Sequence, residues 1–257
     1  MGGLKISQSL IKDFAKYKQG EECGLVVKAK FVDKKWSPPS EAQKHGIYFE
    51  YKATGSLPKS GETPSAEYDS KGRMLNAYAN AEASASLFKT LIKIWNIKIL
   101  ETSWYMDDGV ANGVADLLVE IEGKKAIIDL KYSGLLDDKW NDLGWHEDFL
   151  SEKDKILIQG VHYTKLAETI LEEPVDFFFW VFNSKDPRDV RIFKQVNSYE
   201  RYIKHESMIS NVQLEIEELV ASDSWIARPS LNRCNNCYLA DSCHKQQILP
   251  TIKTIYY

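Results

Sequence analysis

The sequence has no apolar run long enough to cross a bilayer, since none approaches the roughly 18–20 residues that a spanning helix needs. Its beginning, Met1–Ser7, has no apolar core followed by a cleavage site, so no signal peptide is visible. Only 14 glycines and 8 prolines occur among 257 residues, a composition that excludes collagen-like and disordered chains. We therefore expect a globular cytoplasmic protein without a membrane partner.

An excess of positive charge is also missing. The chain has 33 Lys and Arg against 37 Asp and Glu, a net charge of −4. Proteins that coat nucleic acid are usually basic, so a large non-specific phosphate footprint is not expected. This net charge is compatible with an enzyme that binds a few phosphates in a cleft, because carboxylates that bind metal lower the net charge. The length suits one large α/β domain, or a domain with a small appendage.

The periodicity predicts helices first, then a β-meander, a helix, strands and helices. Strands are predicted at 97–104, 113–121, 125–132, 175–182 and 190–196. Helices are predicted at 7–20, from 37–40 to Gly55, at 66–95, 152–171 and 198–222. Residues 24–32 could be a strand or irregular, 56–65 a loop, and 135–150 a loop with a short helix. This order predicts an α/β or α+β domain with one mixed sheet.

Two acids and a lysine gather at one end of the predicted sheet. Asp129 and Lys131 end an apolar strand and share a face, because strand side chains alternate. Asp116 begins the neighbouring antiparallel strand, so a hairpin brings it near Asp129. Close carboxylates repel unless a proton or cation lies between them, and Mg²⁺ or Mn²⁺ fits an all-oxygen set. A lysine there can position or deprotonate a water and stabilise a phosphorane-like transition state.

The acid-x-Lys spacing is unspecific by itself. It occurs at 33–35, 50–52, 69–71, 122–124, 129–131 and 137–139. Only the copy at 129–131 ends a buried strand with an acid upstream across a hairpin. The alternative interpretation is a surface acid and lysine at a frayed strand end.

Gln159 and Tyr163 lie four residues apart in the following predicted helix, so they share a face. An amide and a phenol on one face can contact a phosphate or hold the lysine. The alternative is an ordinary amphipathic helix.

The four cysteines are Cys23, Cys234, Cys237 and Cys243. The last three form a Cys-x2-Cys-x5-Cys motif, and the first lies more than two hundred residues upstream. In a cytosolic chain, clustered cysteines indicate metal ligands rather than disulfides. Four thiolates suit either zinc or an iron–sulfur cluster. The spacing leaves both open, and His244 offers zinc an alternative ligand.

These motifs together resemble the PD-(D/E)XK nuclease superfamily, in its RecB-like exonuclease branch. The matching motifs are Gly113-x-x-Asp116, Asp129-x-Lys131 and Gln159-x-x-x-Tyr163, in the order that the family has them. That branch usually has a further metal ligand upstream, in a Gly-x-x-x-His or Gly-x-x-x-Glu setting. Gly46-Ile47-Tyr48-Phe49-Glu50 matches the glutamate version, and His45 is the competing candidate. The cysteine pattern looks like that of the iron–sulfur members, which include CRISPR-associated RecB-type exonucleases and the AddAB nuclease domain.

The resemblance implies a restriction-endonuclease-like core, with a central mixed β-sheet flanked by helices, a helical N-terminal region and a C-terminal cysteine cluster. It implies one nuclease domain over 1–257, with a mostly helical part at 24–100 and a catalytic core at 101–196. A helix and a cysteine-rich part at 197–257 would be joined to Cys23 by a 4Fe-4S cluster, with zinc as the alternative.

The resemblance also implies residue roles. Glu50, Asp116, Asp129 and the Leu130 carbonyl would bind Mg²⁺ or Mn²⁺, Lys131 would position the water, and Gln159 and Tyr163 would contact the strand being cut. The implied function is a DNA exonuclease that needs a free end. It would act in phage or prophage recombination or in CRISPR-type DNA processing, with recombination or CRISPR adaptation proteins as possible partners.

Two positions depart from the family pattern. Gly24 follows Cys23, where proline often follows, and Glu50 replaces the CRISPR-type histidine. Both departures weaken assignment to the CRISPR subgroup and leave a phage or prophage nuclease open. A rival reading is a non-catalytic nucleic-acid-binding assembly subunit with a four-cysteine zinc site. A third is a site-specific restriction endonuclease, for which little chain remains to read a sequence.

Overall fold

The computed structural model describes residues 4–58 and 60–243. The chain divides into two compact units, a larger one at 39–209 and a smaller one whose described residues are 4–38 and 210–243. The helices are α1 Gln8–Lys18, α2 Gly24–Phe31, α3 Glu41–Thr54, α4 Asn76–Ile94, α5 Glu147–Leu150, α6 Asp154–Leu171, α7 Tyr199–Ser222 and α8 Leu231–Cys234. The strands are β1 Ile6–Ser7, β2 Lys98–Asp107, β3 Ala111–Ile121, β4 Lys124–Ser133, β5 Asp176–Asn183 and β6 Val190–Gln195. That the chain forms one nuclease domain stays a prediction.

The larger unit is built on a mixed sheet with strand order β2-β3-β4-β5-β6. Among the four pairs that these five described strands make, only β4–β5 is parallel, and α6 makes the crossover between these two strands. One core layer contains side chains of α6, and the other contains side chains of α3 and α4. The predicted mixed sheet flanked by helices is confirmed. Among the described residues, no helix is long and apolar enough to cross a bilayer.

Local signals explain the best-predicted elements. Glu122 and Gly123 have φ of 50° and 79°, the two left-handed residues that a tight hairpin turn between β3 and β4 needs. Ser40 and Gln43 form a reciprocal capping box at the start of α3, and Gly55 ends that helix with φ of 80°. The predicted bounds of α3 and of the hairpin are confirmed.

The helix predicted from 66 begins only at Asn76. The Asp69 carboxylate accepts hydrogen bonds from the backbone N–H groups of Lys71 and Arg73 at 2.8 and 2.9 Å. Tyr68 and Met74 pair across the turn that results. An aspartate whose side chain accepts hydrogen bonds from nearby backbone N–H groups competes with helix formation. The prediction of a helix over residues 66–75 was therefore wrong.

The segment 24–32, expected to be a strand or irregular, is the helix α2 of the smaller unit. It packs against α1, and Val27 and Phe31, four residues apart, are buried. The run of apolar residues carries no clear helical period, so packing rather than local sequence selects the helix.

Candidate active site and cysteine cavity

Asp116 and Asp129 lie where the β3–β4 ladder ends. The ladder runs from Ile121–Lys124 to Leu117–Ile128 and stops there. Beyond it, the backbone N–H of Leu130 donates to Asp116 Oδ2 at 2.6 Å. A carboxylate therefore takes the place of a backbone acceptor and opens the hairpin at this point. The predicted role of the Leu130 carbonyl as a metal ligand stays a prediction.

Asp116 lies inside β3 and not at its start, which corrects the sequence analysis. Ala115 and Leu117 should share a face, yet they lie in different core layers. Ser103, between the β2 residues that pair with Ala115 and Leu117, has φ of 50°. This break in the alternation gives Asp116 an orientation that a regular strand would not.

Asp129 is the centre of the site. It is 1% exposed, and its two oxygens contact different cationic or donor groups. Lys131 Nζ lies 2.5 Å from Oδ2, and Gln159 Nε2, on α6, donates to Oδ1 at 2.6 Å. The structure thus brings together the acid and lysine that strand alternation predicted to share a face. Gln159 is engaged with the acid itself, while its predicted contact with DNA stays a prediction.

Glu50 reaches this group from α3. Burial raises its pKa, repulsion by Asp129 adds to the effect, and Lys131 opposes it. His45 instead packs edge to face on Tyr78, with ring centroids 4.9 Å apart. Of the two upstream candidates, Glu50 is therefore the one that interacts with the carboxylate site.

In the carboxylate site, three acids surround one lysine, so the negative charge exceeds the positive charge. Burial raises the pKa of Asp116 well above its usual range, and repulsion by Asp129 and Glu50 raises it further. Burial alone would lower the pKa of Lys131, but the three surrounding carboxylates outweigh burial and raise it. Lys131 is therefore held as an ammonium, and the acids repel one another.

Tyr163 explains the glycine of the Gly-x-x-Asp motif. A Cβ on Gly113 would lie 2.8 Å from a ring carbon of Tyr163, which is only 9% exposed. Burial and the charges of Asp129 and Asp116 raise the pKa of Tyr163, so the phenol stays protonated. The glycine thus lets α6 approach β3 closely, three residues before Asp116.

The donor chemistry of the site suits a hard divalent cation, although the side chains do not form a closed shell. Buried Asp129 and half-buried Glu50 and Asp116 are carboxylates, the oxygen ligands that Mg²⁺ and Mn²⁺ prefer, and Asp129 raises the pKa of the other two. Within residues 4–58 and 60–243, no group of three or more His, Cys, Asp or Glu is arranged to hold a metal ion. Lys131 and the Leu130 amide occupy oxygens that a cation would use. Metal binding would need these contacts to exchange.

The four cysteines line one cavity of about 260 Å³ in the smaller unit. All four are free and half-buried, and the Arg228 backbone N–H donates to Cys23 Sγ at 3.4 Å. The tertiary structure therefore brings Cys23 to the same cavity as the three C-terminal cysteines. His244, the alternative zinc ligand, lies outside the described residues.

Gly24 accounts for one departure from the family pattern. Its backbone N–H donates to the Ile226 carbonyl at 2.9 Å, and a Cβ there would lie 2.7 Å from that same oxygen. Proline lacks the N–H and would add the clash, so this chain cannot use the residue that often follows the first cysteine.

No protein-family profile and no curated protein matches the chain. The structure resembles that of a candidate exonuclease from Eubacterium rectale, with a TM-score of 0.67 and 19% identity, over 98% of this chain and 91% of the other. A phage-related exonuclease from Haemophilus somnus 129PT aligns over 86% of this chain and 97% of its own, with a TM-score of 0.43 and 14% identity. The first likeness supports the fold alone. The predicted α/β class with a restriction-endonuclease-like core is confirmed.

Proposed function

We propose that this protein is a metal-dependent exonuclease that hydrolyses phosphodiester bonds of DNA. The observation that carries the proposal is the meeting of Asp129 with Lys131, Gln159, Asp116 and Glu50 at the opened end of one hairpin. The fold adds support, since the Eubacterium rectale protein that shares it is itself a candidate exonuclease.

Each side chain has a role that follows from its surroundings. Glu50, Asp116 and Asp129 would hold Mg²⁺ or Mn²⁺, which would supply Lewis-acid stabilisation of the phosphate. Lys131, kept charged by the carboxylates, positions the attacking water and stabilises the charge that develops on the phosphoryl oxygens. The charged form favours this electrostatic role over proton abstraction. Gln159 fixes the orientation of the Asp129 carboxylate, which is a positioning role.

The cysteine cavity would hold a 4Fe-4S cluster with a structural role, because phosphodiester hydrolysis needs no electron transfer. All four cysteines line the same cavity, which supports a shared metal group. Four thiolates suit an iron–sulfur cluster, in which each one binds a different iron, and zinc is the alternative.

The substrate would be DNA with a free end, and the setting phage or prophage recombination or CRISPR-type processing. A neighbouring gene for an annealing protein would support the first setting, and one for a CRISPR integrase the second.

The test is degradation of end-labelled linear DNA, single- and double-stranded, with Mg²⁺ or Mn²⁺, beside a closed circle. We expect linear DNA to be consumed and the intact circle to survive. If anaerobically purified protein leaves every linear substrate untouched but binds DNA, the non-catalytic binding subunit replaces this proposal. Cutting of the circle would instead indicate an endonuclease. Brown protein with broad absorbance near ~400 nm would support the cluster, and colourless protein with one zinc would exclude it.

A further inference from the structure

A second buried polar group joins α6 to α7, outside the carboxylate site. His162 and His205 are 0% and 3% exposed, and Nδ1 of the first lies 3.0 Å from Nε2 of the second. His162 Nε2 lies 2.9 Å from the carbonyl oxygen of Asn112. All three residues belong to the larger unit.

The proton positions along this row of hydrogen bonds follow from the Asn112 carbonyl, which can only accept. The Asn112 carbonyl has no proton, so His162 Nε2 must donate to it. Burial lowers the pKa of both imidazoles, that of His205 to about 4, so both rings are neutral near pH 7. Nδ1 of neutral His162 then accepts from the Nε2–H of His205. The remaining nitrogen, His205 Nδ1, is therefore a bare acceptor.

His205 lines a cavity of about 260 Å³. Its Nδ1 is buried and has no hydrogen-bond partner among the described residues. The other residues that line the cavity are apolar or charged: Leu157, Ile158, Val161, Met208, Arg201, Lys204 and Asp154. Lys204 lies 3.8 Å from Asp154, whereas no ion pair of Arg201 occurs within the described part of the chain.

The cavity lies on a different side of α6 from the carboxylate site. Val161 is two residues from both Gln159 and Tyr163, and residues two apart on a helix point about 160° away from each other. Ligands of this cavity would therefore not compete directly for the carboxylates.

Three features of the cavity define the chemistry of its ligand. His205 Nδ1 needs a donor, the apolar side chains suit a flat ring, and Arg201 and Lys204 suit a phosphate. A nucleotide offers a base N–H, a ring and a phosphate together. We propose that this cavity binds a single nucleotide, either a free nucleoside monophosphate or a nucleotide of a DNA strand. Binding is measured without hydrolysis, so the test of this proposal does not depend on whether the protein cuts DNA.

The test is calorimetric titration of the full-length protein with each of dAMP, dCMP, dGMP and dTMP, in EDTA so that no divalent metal is bound. We expect binding of at least one nucleotide, weaker binding of inorganic phosphate, and a loss of about 10- to 100-fold in Arg201→Gln. The matched control is Arg188→Gln, whose side chain is 90% exposed and outside the cavity, and it should bind like wild type.

The imidazole ¹⁵N spectrum gives a second readout that does not depend on a core substitution. His205 should be neutral with its proton on Nε2, and its Nδ1 signal should move when the nucleotide binds. Absence of nucleotide binding at about millimolar concentration, or equal effects of Arg201→Gln and Arg188→Gln, would overturn the proposal. So would an Nδ1 signal that does not respond.

Linear oligonucleotides and a circular single strand distinguish the two sources. If Arg201→Gln weakens only mononucleotide binding, the ligand is a free nucleotide; if it also weakens binding of either DNA, the ligand is part of a strand. If the protein binds a nucleotide but never cuts DNA, the nucleotide-binding proposal is kept and the proposed nuclease activity is rejected.

Discussion

The carboxylate site and the cysteine cavity are held in place in different ways. The carboxylates lie on β3, β4 and α3, and contacts of 2.5 to 2.6 Å join Asp129 and Asp116 to their neighbours. The cavity instead gathers Cys23 with cysteines more than two hundred positions later. A sheet can order its site before any ligand binds. A site made from distant chain segments gains more from the ligand that joins them, because loop closure costs entropy.

The largest effect is expected in the carboxylate site. Lys131→Ala should lower the rate of DNA hydrolysis by about 10²–10⁴ while Mg²⁺ still binds, since the lysine stabilises developing charge and is not a metal ligand. Asp129→Ala should remove metal binding itself. Single-turnover assays with calorimetric Mg²⁺ titration separate the two. Lys124→Ala, at the exposed start of the same strand, is the matched control. A fully active Lys131→Ala enzyme would show that the catalytic assignment is wrong.

The two upstream candidates can be separated in the same assay. Glu50→Ala should lose metal affinity as Asp129→Ala does, because Glu50 interacts with that carboxylate. His45→Ala should keep near-normal activity, because its ring packs on Tyr78. The reverse order would move the ligand to His45.

The next effect is expected in the cysteine cavity. Cys234→Ser should lower the metal content and the thermal stability, because metal binding supplies folding free energy. Hydrogen exchange should rise in α1 and α2 and change little in β3 and β4, which would sharpen the contrast between the two sites. Asn235→Ser, which does not line the cavity, is the control. Full metal content with unchanged exchange would show that Cys234 is not a ligand.

A smaller effect is expected from packing beside the carboxylates. Gly113→Ala should destabilise the protein by about 1–3 kcal/mol and lower activity, because the new methyl group would displace Tyr163. Gly46→Ala is the matched control: nothing lies within 4 Å of a Cβ there, and alanine in a helix should add about 0.5–1 kcal/mol. Urea unfolding measures both. If Gly113→Ala is as stable as the wild type, the Tyr163 ring moves aside without loss of stability.

The smallest effect is a pH dependence of the metal-free protein. The pKa of Glu50 is raised by folding, so the native state binds more protons than the unfolded state above the ordinary glutamate pKa. Its contribution to stability therefore falls as pH rises from about 4 towards the raised native value. Glu50→Gln should reduce this fall, and Mg²⁺, which favours the ionised carboxylates, should do the same for wild type. Urea unfolding at several pH values with EDTA provides the measurement. An unchanged pH slope in Glu50→Gln would contradict the assigned burial.

Sequence reasoning was most accurate where a signal is local. Period-two alternation placed Asp129 beside Lys131, and a turn at Glu122 and Gly123 predicted the hairpin that brings Asp116 near. It was least accurate where the backbone departs from regular geometry. Asp116 was expected at a strand start, but it lies inside β3, opposite Ser103, where the alternation of side chains breaks. Hydrophobic periodicity does not predict such a break. The helix α2 was missed for a similar reason, since contacts with α1 decide its form.

By itself, the sequence determined the mixed sheet, the main helices and the residues able to do metal chemistry, because hydrophobic period and capping act between near neighbours. The family resemblance already implied that Glu50 joins the acids and that Cys23 joins the C-terminal cysteines, and the tertiary structure brings each of these groups together. The tertiary structure alone decided that Gln159 holds Asp129. It alone also placed His205 in the lining of a cavity and left its Nδ1 without a hydrogen-bond partner among the described residues. These facts depend on burial and on contacts between residues far apart in the chain, and local periodicity carries no information about either.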